Sequence, residues 1–372
     1  MQRRRLKAKN KRKTAVRLAF LALGALALIG AVTGLVLALS KGAALGAMEA
    51  LPFSAEATQI FTGNGFLYLA DGKLNYFDLN DERKNLSLST STTDVRLAAS
   101  KGIYALYNSS AVQIVGVSFP IEFSGTVQSV RCGSAYVAVY RLDASGNGAI
   151  QVFNFKGERQ AESDVDLSGA TLVNYGFRSG DDDTLWTLTL DTGSSTPVQT
   201  LTTYDLAKTA TTGVITVSGE LAETVAFTEK SVFAVCTGNL LRFNRTGNAQ
   251  AYRVIVYGYK YLDASFAGPR PLFLFVPRDG AKLSSVMLLS VDEADVASER
   301  RVFLQLPPNA LTAAVANGKL LVYCADAVYV YSEKGTLLSK EAFETPIDAA
   351  AKLDDSHMVV TRGGTLYLAP VS

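Results

Sequence analysis

The sequence predicts an all-β fold, a β-propeller of eight four-stranded blades with seven as the alternative, preceded by one transmembrane helix. Three observations predict it. Residues 18–39 are one uncharged apolar run behind a dense basic tail. From residue 56 onward, short runs of Val, Leu, Ile, Phe and Tyr are separated by Gly, Asn and Asp turns with no sustained helical period. One hairpin phrase then recurs at a mean spacing of about 41 residues, close to the roughly 40–45 of a propeller blade. Composition agrees, because 48% hydrophobic and 19% charged residues make the chain too apolar for disorder and too poor in charge for a coiled coil. Three cysteines (Cys132, Cys236, Cys324) and one histidine (His357) disfavour a zinc cluster, a disulfide framework and most imidazole-based catalysis.

The first 17 residues hold nine bases and no acid, leaving 27 bases against 34 acids, a net of −7, for everything after. The overall +2 therefore belongs to the tail, and the folded part would repel a nucleic acid. The 22 residues 18–39 reach about 33 Å as a helix, enough to cross a hydrocarbon core of roughly 30 Å. Bases on the N-terminal flank keep that end cytoplasmic and send the remainder across. A cleaved signal peptide, with its site among Ala44, Gly46 and Ala47, is the alternative; the run is longer than the usual h-region of roughly 7–15 residues. A lipoprotein needs a cysteine just after the apolar run, and the first is Cys132. The tail reads as a topology signal, with adhesion to anionic lipid as its second reading. Gly30 and Gly34 form a G-x-x-x-G pair within an Ala- and Gly-rich run that produces such pairs by chance.

The resulting segments are a basic cytoplasmic tail (1–17), a signal-anchor helix (18–39), a linker with a ring-closing strand near Glu49 to Ser54 (40–55) and an extracytoplasmic propeller (56–372). Within the last, Phe-Leu-Tyr-Leu-Ala at 66–70, a turn, and Leu-Asn-Tyr-Phe at 74–77 match Val-Phe-Ala-Val-Cys at 232–236 and Leu-Leu-Arg-Phe at 240–243. The phrase returns at 320–331 and, weaker, at 357–368. Phe153, Phe243 and Tyr331 are each followed four residues on by glycine (Gly157, Gly247, Gly335), and Ser-Gly closes units at 124–125, 168–169 and 218–219. Units start near Ala57, Thr93, Thr126, Ala170, Leu221, Lys260, Leu311 and Ile347. The last has room for three strands, so the segment before the first must supply the fourth; an open ring would expose unpaired sheet edges.

These residues resemble the bacterial membrane-tethered propeller proteins, with a basic N-terminus, one signal-anchor helix and a WD40-like or quinoprotein-like propeller outside. More narrowly the chain is similar to a clostridial family of such proteins. The Gly-His and Trp-Asp dipeptides of WD40 repeats are absent, since His357 and Trp186 are the only residues of their kinds. One tryptophan also cannot supply the docking motifs of quinone-binding propellers.

Local chemistry is sparse. Asp181, Asp182 and Asp183 lack the D-x-D-x-D-G spacing of a calcium loop and read as a solvated hairpin. Residues 143–148 read as another turn. His357, preceded by Asp354 and Asp355, has no G-x-S-x-G partner. Two carboxylates on different blades can converge without local signature, so a carbohydrate-binding or glycan-cleaving propeller is the alternative function. The cysteines read as free thiols, and Tyr323, Tyr329 and Tyr331 as strand packing. No catalytic residue, metal ligand or cofactor is expected. The loops joining second to third strands share a side with the blade crossings and carry Asp71, Lys73, Asn108, Asp191, Asn239, Arg278, Asp279, Asp326 and Arg362. That polar, mixed-sign set is the candidate binding surface of a non-catalytic scaffold, with the bilayer and an envelope protein or peptide as partners and no nucleic acid.

Overall fold

Segments such as Ser231–Cys236 and Leu272–Pro277 are buried at successive positions, so both faces of each strand need covering. The computed structural model describes residues 48–371 except 91–93, 168, 179–183, 194, 246–249, 281 and 295–298. These residues form eight antiparallel sheets of four strands, arranged as blades so that each sheet covers its neighbours. The seven-bladed alternative is therefore corrected to eight, because the long units at blades 4 and 6 contain long strands and loops, each within one sheet. The tail, the apolar run and residues 40–47 lie outside the described residues, among which no helix is long and apolar enough to cross a membrane.

Blade 1 comprises Gln59–Phe61, Gly65–Ala70, Lys73–Asp78 and Leu86–Ser89, and blade 2 Arg96–Ala99, Tyr104–Tyr107, Ala111–Ile114 and Ile121–Glu122. Blade 3 is Thr126–Cys132, Tyr136–Leu142, Gly148–Asn154 and Val165–Asp166; blade 4 is Thr171–Phe177, Thr184–Asp191, Val198–Asp205 and Ala210–Ser218. Blade 5 is Ala222–Phe227, Ser231–Cys236, Asn239–Asn244 and Gln250–Ile255; blade 6 is Tyr259–Ser265, Leu272–Pro277, Ser285–Ser290 and Arg300–Gln305. Blade 7 is Ala310–Ala316, Lys319–Cys324, Ala327–Ser332 and Leu337–Ala342. Blade 8 takes Ala349–Lys352, His357–Arg362 and Thr365–Pro370 from the C-terminal end and its outer strand, Glu49–Ser54, from the N-terminal end. Glu49 stands opposite Leu368 and Ser54 opposite Thr365, so the two ends of the fold close the ring without a covalent bond. First strands of neighbouring blades touch around the axis in blades 1 to 4 and 6 to 8.

The core is a set of slabs between blades. Along Ser231–Cys236, Val232, Ala234 and Cys236 pack toward blade 4 while Phe233 and Val235 pack toward blade 6. Along the next second strand, Phe273 and Phe275 face blade 5, and Leu272, Leu274 and Val276 face blade 7. The period of two is intact, but both phases are apolar, which is why the second strands read as continuous hydrophobic runs. Leu51 and Phe53 of the closing strand meet Phe66 of blade 1 in the slab that seals the ring.

The cysteines are free and sit in or against these slabs. Burial pushes the Cys132 and Cys236 thiols up to about 12 and raises Cys324. The thiolate is the reactive form, so the folded chain should react with a disulfide reagent roughly 100-fold or more slowly than the unfolded chain at mildly alkaline pH. Three thiols titrating rapidly in the folded chain would contradict this.

Candidate protein-binding face

Successive strands run in opposite directions, so the second-to-third loops and the crossings from one blade to the next leave on a common side, here the crossing side. Of the residues that the sequence assigned to it, three build their own turns, two join one cluster, and four are exposed or meet a neighbouring segment. Asp71, with φ of 52°, and Gly72 form the tight turn that pairs Ala70 with Lys73, and Lys73 is exposed. Asn108 Oδ1 accepts from the amides of Ser110 and Ala111, both at 2.9 Å. Asp191 Oδ1 accepts from Gly193 N at 2.8 Å, and Asp326 Oδ1 from Asn309 Nδ2 at 2.7 Å. Arg362 lies over the Tyr367 ring, 5.4 Å from its centroid, and Asp279 is exposed in the loop of blade 6.

Arg278 and Asn239 are brought together. The Arg278 guanidinium donates to the carbonyls of Thr237 (3.1 Å) and Tyr259 (3.3 Å), tying the blade 5 turn to the start of blade 6. Asn239 donates to Glu220 and accepts from Arg253 Nε at 2.8 Å, while Arg253 also pairs with Glu220 at 3.0 Å. Between these groups runs the crossing at 256–258, held by Val256 N donating to Gly238 O at 2.9 Å. It presents Tyr257, 84% exposed, beside Ile255, 61% exposed. Arg301 of blade 6 donates to Ile255 O at 3.1 Å and pairs with Glu299. Tyr257, Ile255, Glu220, Arg253 and Arg301 were not singled out in the sequence; a bulky aromatic before the crossing glycine Gly258 is the one local signal that marks the spot.

Nearer the axis the first strands of blades 3 to 7 each carry one extra residue relative to the second strand, at Gln128, Val173, Glu223, Leu262 and Leu311. Such a bulge turns a side chain away from the packed face. Val173, Leu262 and Leu311 are consequently 41–42% exposed along these first strands. Glu223, at the blade 5 bulge, lies 3.8 Å from Arg278, which joins that bulge to the Arg278–Tyr257 cluster. Nothing in a single sequence distinguishes a bulge from a regular strand, which is why these residues were missed.

At the opposite end of the axis the first strands are pinned by charge. Lys352 Nζ of blade 8 reaches Asp263 Oδ2 of blade 6 at 3.2 Å, Asp355 Oδ1 at 3.0 Å, Ala264 O at 2.9 Å and Val315 O of blade 7 at 2.6 Å. Asp263 Oδ2 in turn accepts from Val315 N at 2.9 Å. Burial raises the Asp263 carboxyl above its ordinary 3.8, with the Lys352 charge acting in the other direction. Asp263 and Asp355 are thus two carboxylates from different blades close to each other, but one ammonium lies between them.

His357 Nδ1 is 3.0 Å from Asp354 Oδ1, and its ring lies 5.9 Å from that of Phe61. Tyr323 is buried against Phe343, and Tyr329 carries Lys340 over its ring, so these tyrosines pack. Asp143 caps its own turn, accepting from Ser145 and Asn147 at 2.8 Å. Asp181, Asp182 and Asp183 lie outside the described residues, among which no three His, Cys, Asp or Glu side chains gather as a metal site.

The fold defines an eight-bladed β-propeller with four strands in each blade. The chain matches no protein-family model and no curated protein. It is similar in fold to BamB from Moraxella catarrhalis, at a TM-score of 0.51 and 10% identity over 87% of this chain and 98% of that one. It is also similar to the WD40 domain of SCAP from fission yeast, at 0.56 and 9% identity over 88% and 98%. At these identities the likeness is one of fold.

Proposed function

We propose that this chain is a membrane-anchored, extracytoplasmic propeller that acts as a non-catalytic protein-binding scaffold of the cell envelope through its crossing side. The observation that carries the reading is the exposed pair Tyr257 and Ile255 set among the paired arginines Arg253, Arg278 and Arg301. Exposed aromatic and aliphatic area bordered by arginines whose charges are already paired is the composition of a protein interface core and rim. The apolar run at 18–39 and its basic flank support the anchor and the cytoplasmic N-terminus. Asp263 and Asp355, one carboxylate pair that the glycan reading could use, both contact the Lys352 ammonium.

A photo-crosslinking residue at Tyr257 in the full-length protein, activated in its native membrane, should capture one envelope protein reproducibly. Tyr257→Ala or Arg278→Ala should then weaken binding of that protein by roughly 5- to 100-fold, equivalent to about 1–3 kcal/mol. No capture above a control lacking the propeller, together with glycan retained on the purified chain, would sink the scaffold in favour of the carbohydrate reading.

A further inference from the structure

The fold is entered at Glu49, opposite Leu368 near the end of Thr365–Pro370, hence on the side away from the blade crossings. On the anchored reading above, on which this inference rests, only residues 40–47 separate the apolar run from the fold. Eight extended residues span at most about 28 Å, whereas a body of this length has a radius of gyration of about 20 Å, and so is wider than its tether is long. The non-crossing side is thereby held next to the bilayer.

That side carries two of the most exposed aromatic side chains. Phe119 is 78% exposed in the third-to-fourth loop of blade 2, and Phe155 is 56% exposed in the equivalent loop of blade 3. The two loops touch, since a Cβ on Gly157 would lie 3.1 Å from Val117 Cγ1 and 3.8 Å from Ile121 Cδ1. Lys156 Nζ stands 5.8 Å from the centre of the Phe155 ring. Phenyl groups with an adjacent long-chain cation suit the boundary between acyl chains and headgroups, where the ring leaves water and the ammonium stays in it. We propose that the paired tips bearing Phe119 and Phe155 rest in the surface of the bilayer in which the chain is anchored, giving the propeller a second contact with lipid that leaves its crossing side pointing outward.

The test uses the full chain reconstituted into phosphatidylcholine vesicles with acyl chains brominated near the headgroup. Phe119→Trp and Phe155→Trp are compared with Tyr257→Trp on the opposite side, and native Trp186, 8% exposed, reports that each variant is folded. The first two should gain a blue-shifted emission of which brominated lipid quenches roughly half, and the third should not. A chain that floats with the vesicles while both Phe variants stay unquenched overturns this inference and leaves the anchor standing. Quenching at Tyr257→Trp in their place overturns the orientation, and a chain that does not float with vesicles overturns the anchor and this inference together.

Discussion

Replacing Lys352 with methionine is expected to lower the free energy of unfolding by roughly 3 kcal/mol, because it leaves a half-buried carboxylate without its counter-charge. The lysine side chain is 15% exposed and that of Asp263 22%, so solvent screens part of the loss, which places it toward the low end of what a broken buried pair costs. Methionine fills similar volume, which confines the change to charge and hydrogen bonding: the ammonium's contacts with Ala264 O, Val315 O, Asp263 and Asp355 all disappear. These contacts join blades 6, 7 and 8, next to the seam at which the ring is closed by strand pairing alone. Asp263→Asn on the Lys352→Met background should recover part of the loss, since it removes the uncompensated charge. A denaturant series on the two single variants and the double variant measures both numbers.

The same site fixes a sign for pH. Asp263 has its carboxyl raised in the fold, so the folded chain binds that proton more readily than the unfolded one. Its ionisation is therefore a destabilising contribution at neutral pH, relieved as pH falls through the folded value toward 3.8. Without Lys352 the carboxyl rises further, and the deficit of Lys352→Met should be smaller at about pH 5 than at about pH 7. A deficit that is unchanged or grows on acidification would show that the Lys352–Asp263 contact is not its source.

The blade count was legible because its determinants are local. A second strand packed on both faces needs apolar residues at consecutive positions, and a tight turn needs Asp-Gly or its equivalents, so hairpins such as 66–77 and 320–331 declare themselves. The closing strand was legible through arithmetic, because the final unit lacked a partner. The candidate face was legible only where it consists of second-to-third loops: Arg278 and Asn239 lie there, while Asp71, Asn108 and Asp191 serve their own turns. The exposed apolar residues of the first strands come from register, a relation between two strands that neither strand encodes alone, as at Leu262 between Tyr261 and Asp263. The Lys352 pin joins residues 89 apart in the chain, and no spacing rule anticipates it.

The Ser-Gly units show the same limit within a single motif, and give the largest expected loss. Gly125 has φ of 106°, and a Cβ there would lie 2.2 Å from Leu142 O, 3.1 Å from Asp143 Cα and 3.2 Å from Leu142 C. All three atoms are backbone at the end of the blade 3 hairpin, where Thr126 pairs with Leu142, so the clash can be relieved only by moving a strand. Gly125→Ala is expected to cost more than about 4 kcal/mol, combining a steric clash with a left-handed backbone. Gly169 and Gly219 follow serine in the same way and have φ of 83° and 74°, but nothing lies within 4 Å of a Cβ at either. Alanine there meets only the backbone penalty, roughly 1–2 kcal/mol. Gly65 supplies the complementary case, since its φ is not in the left-handed region while a Cβ would lie 2.1 Å from Phe77 O. If close approach governs, Gly65→Ala and Gly125→Ala lose folded protein and Gly219→Ala keeps it; if backbone strain governs, Gly125→Ala and Gly219→Ala fall together and Gly65→Ala survives. Denaturation midpoints of these variants separate the two causes.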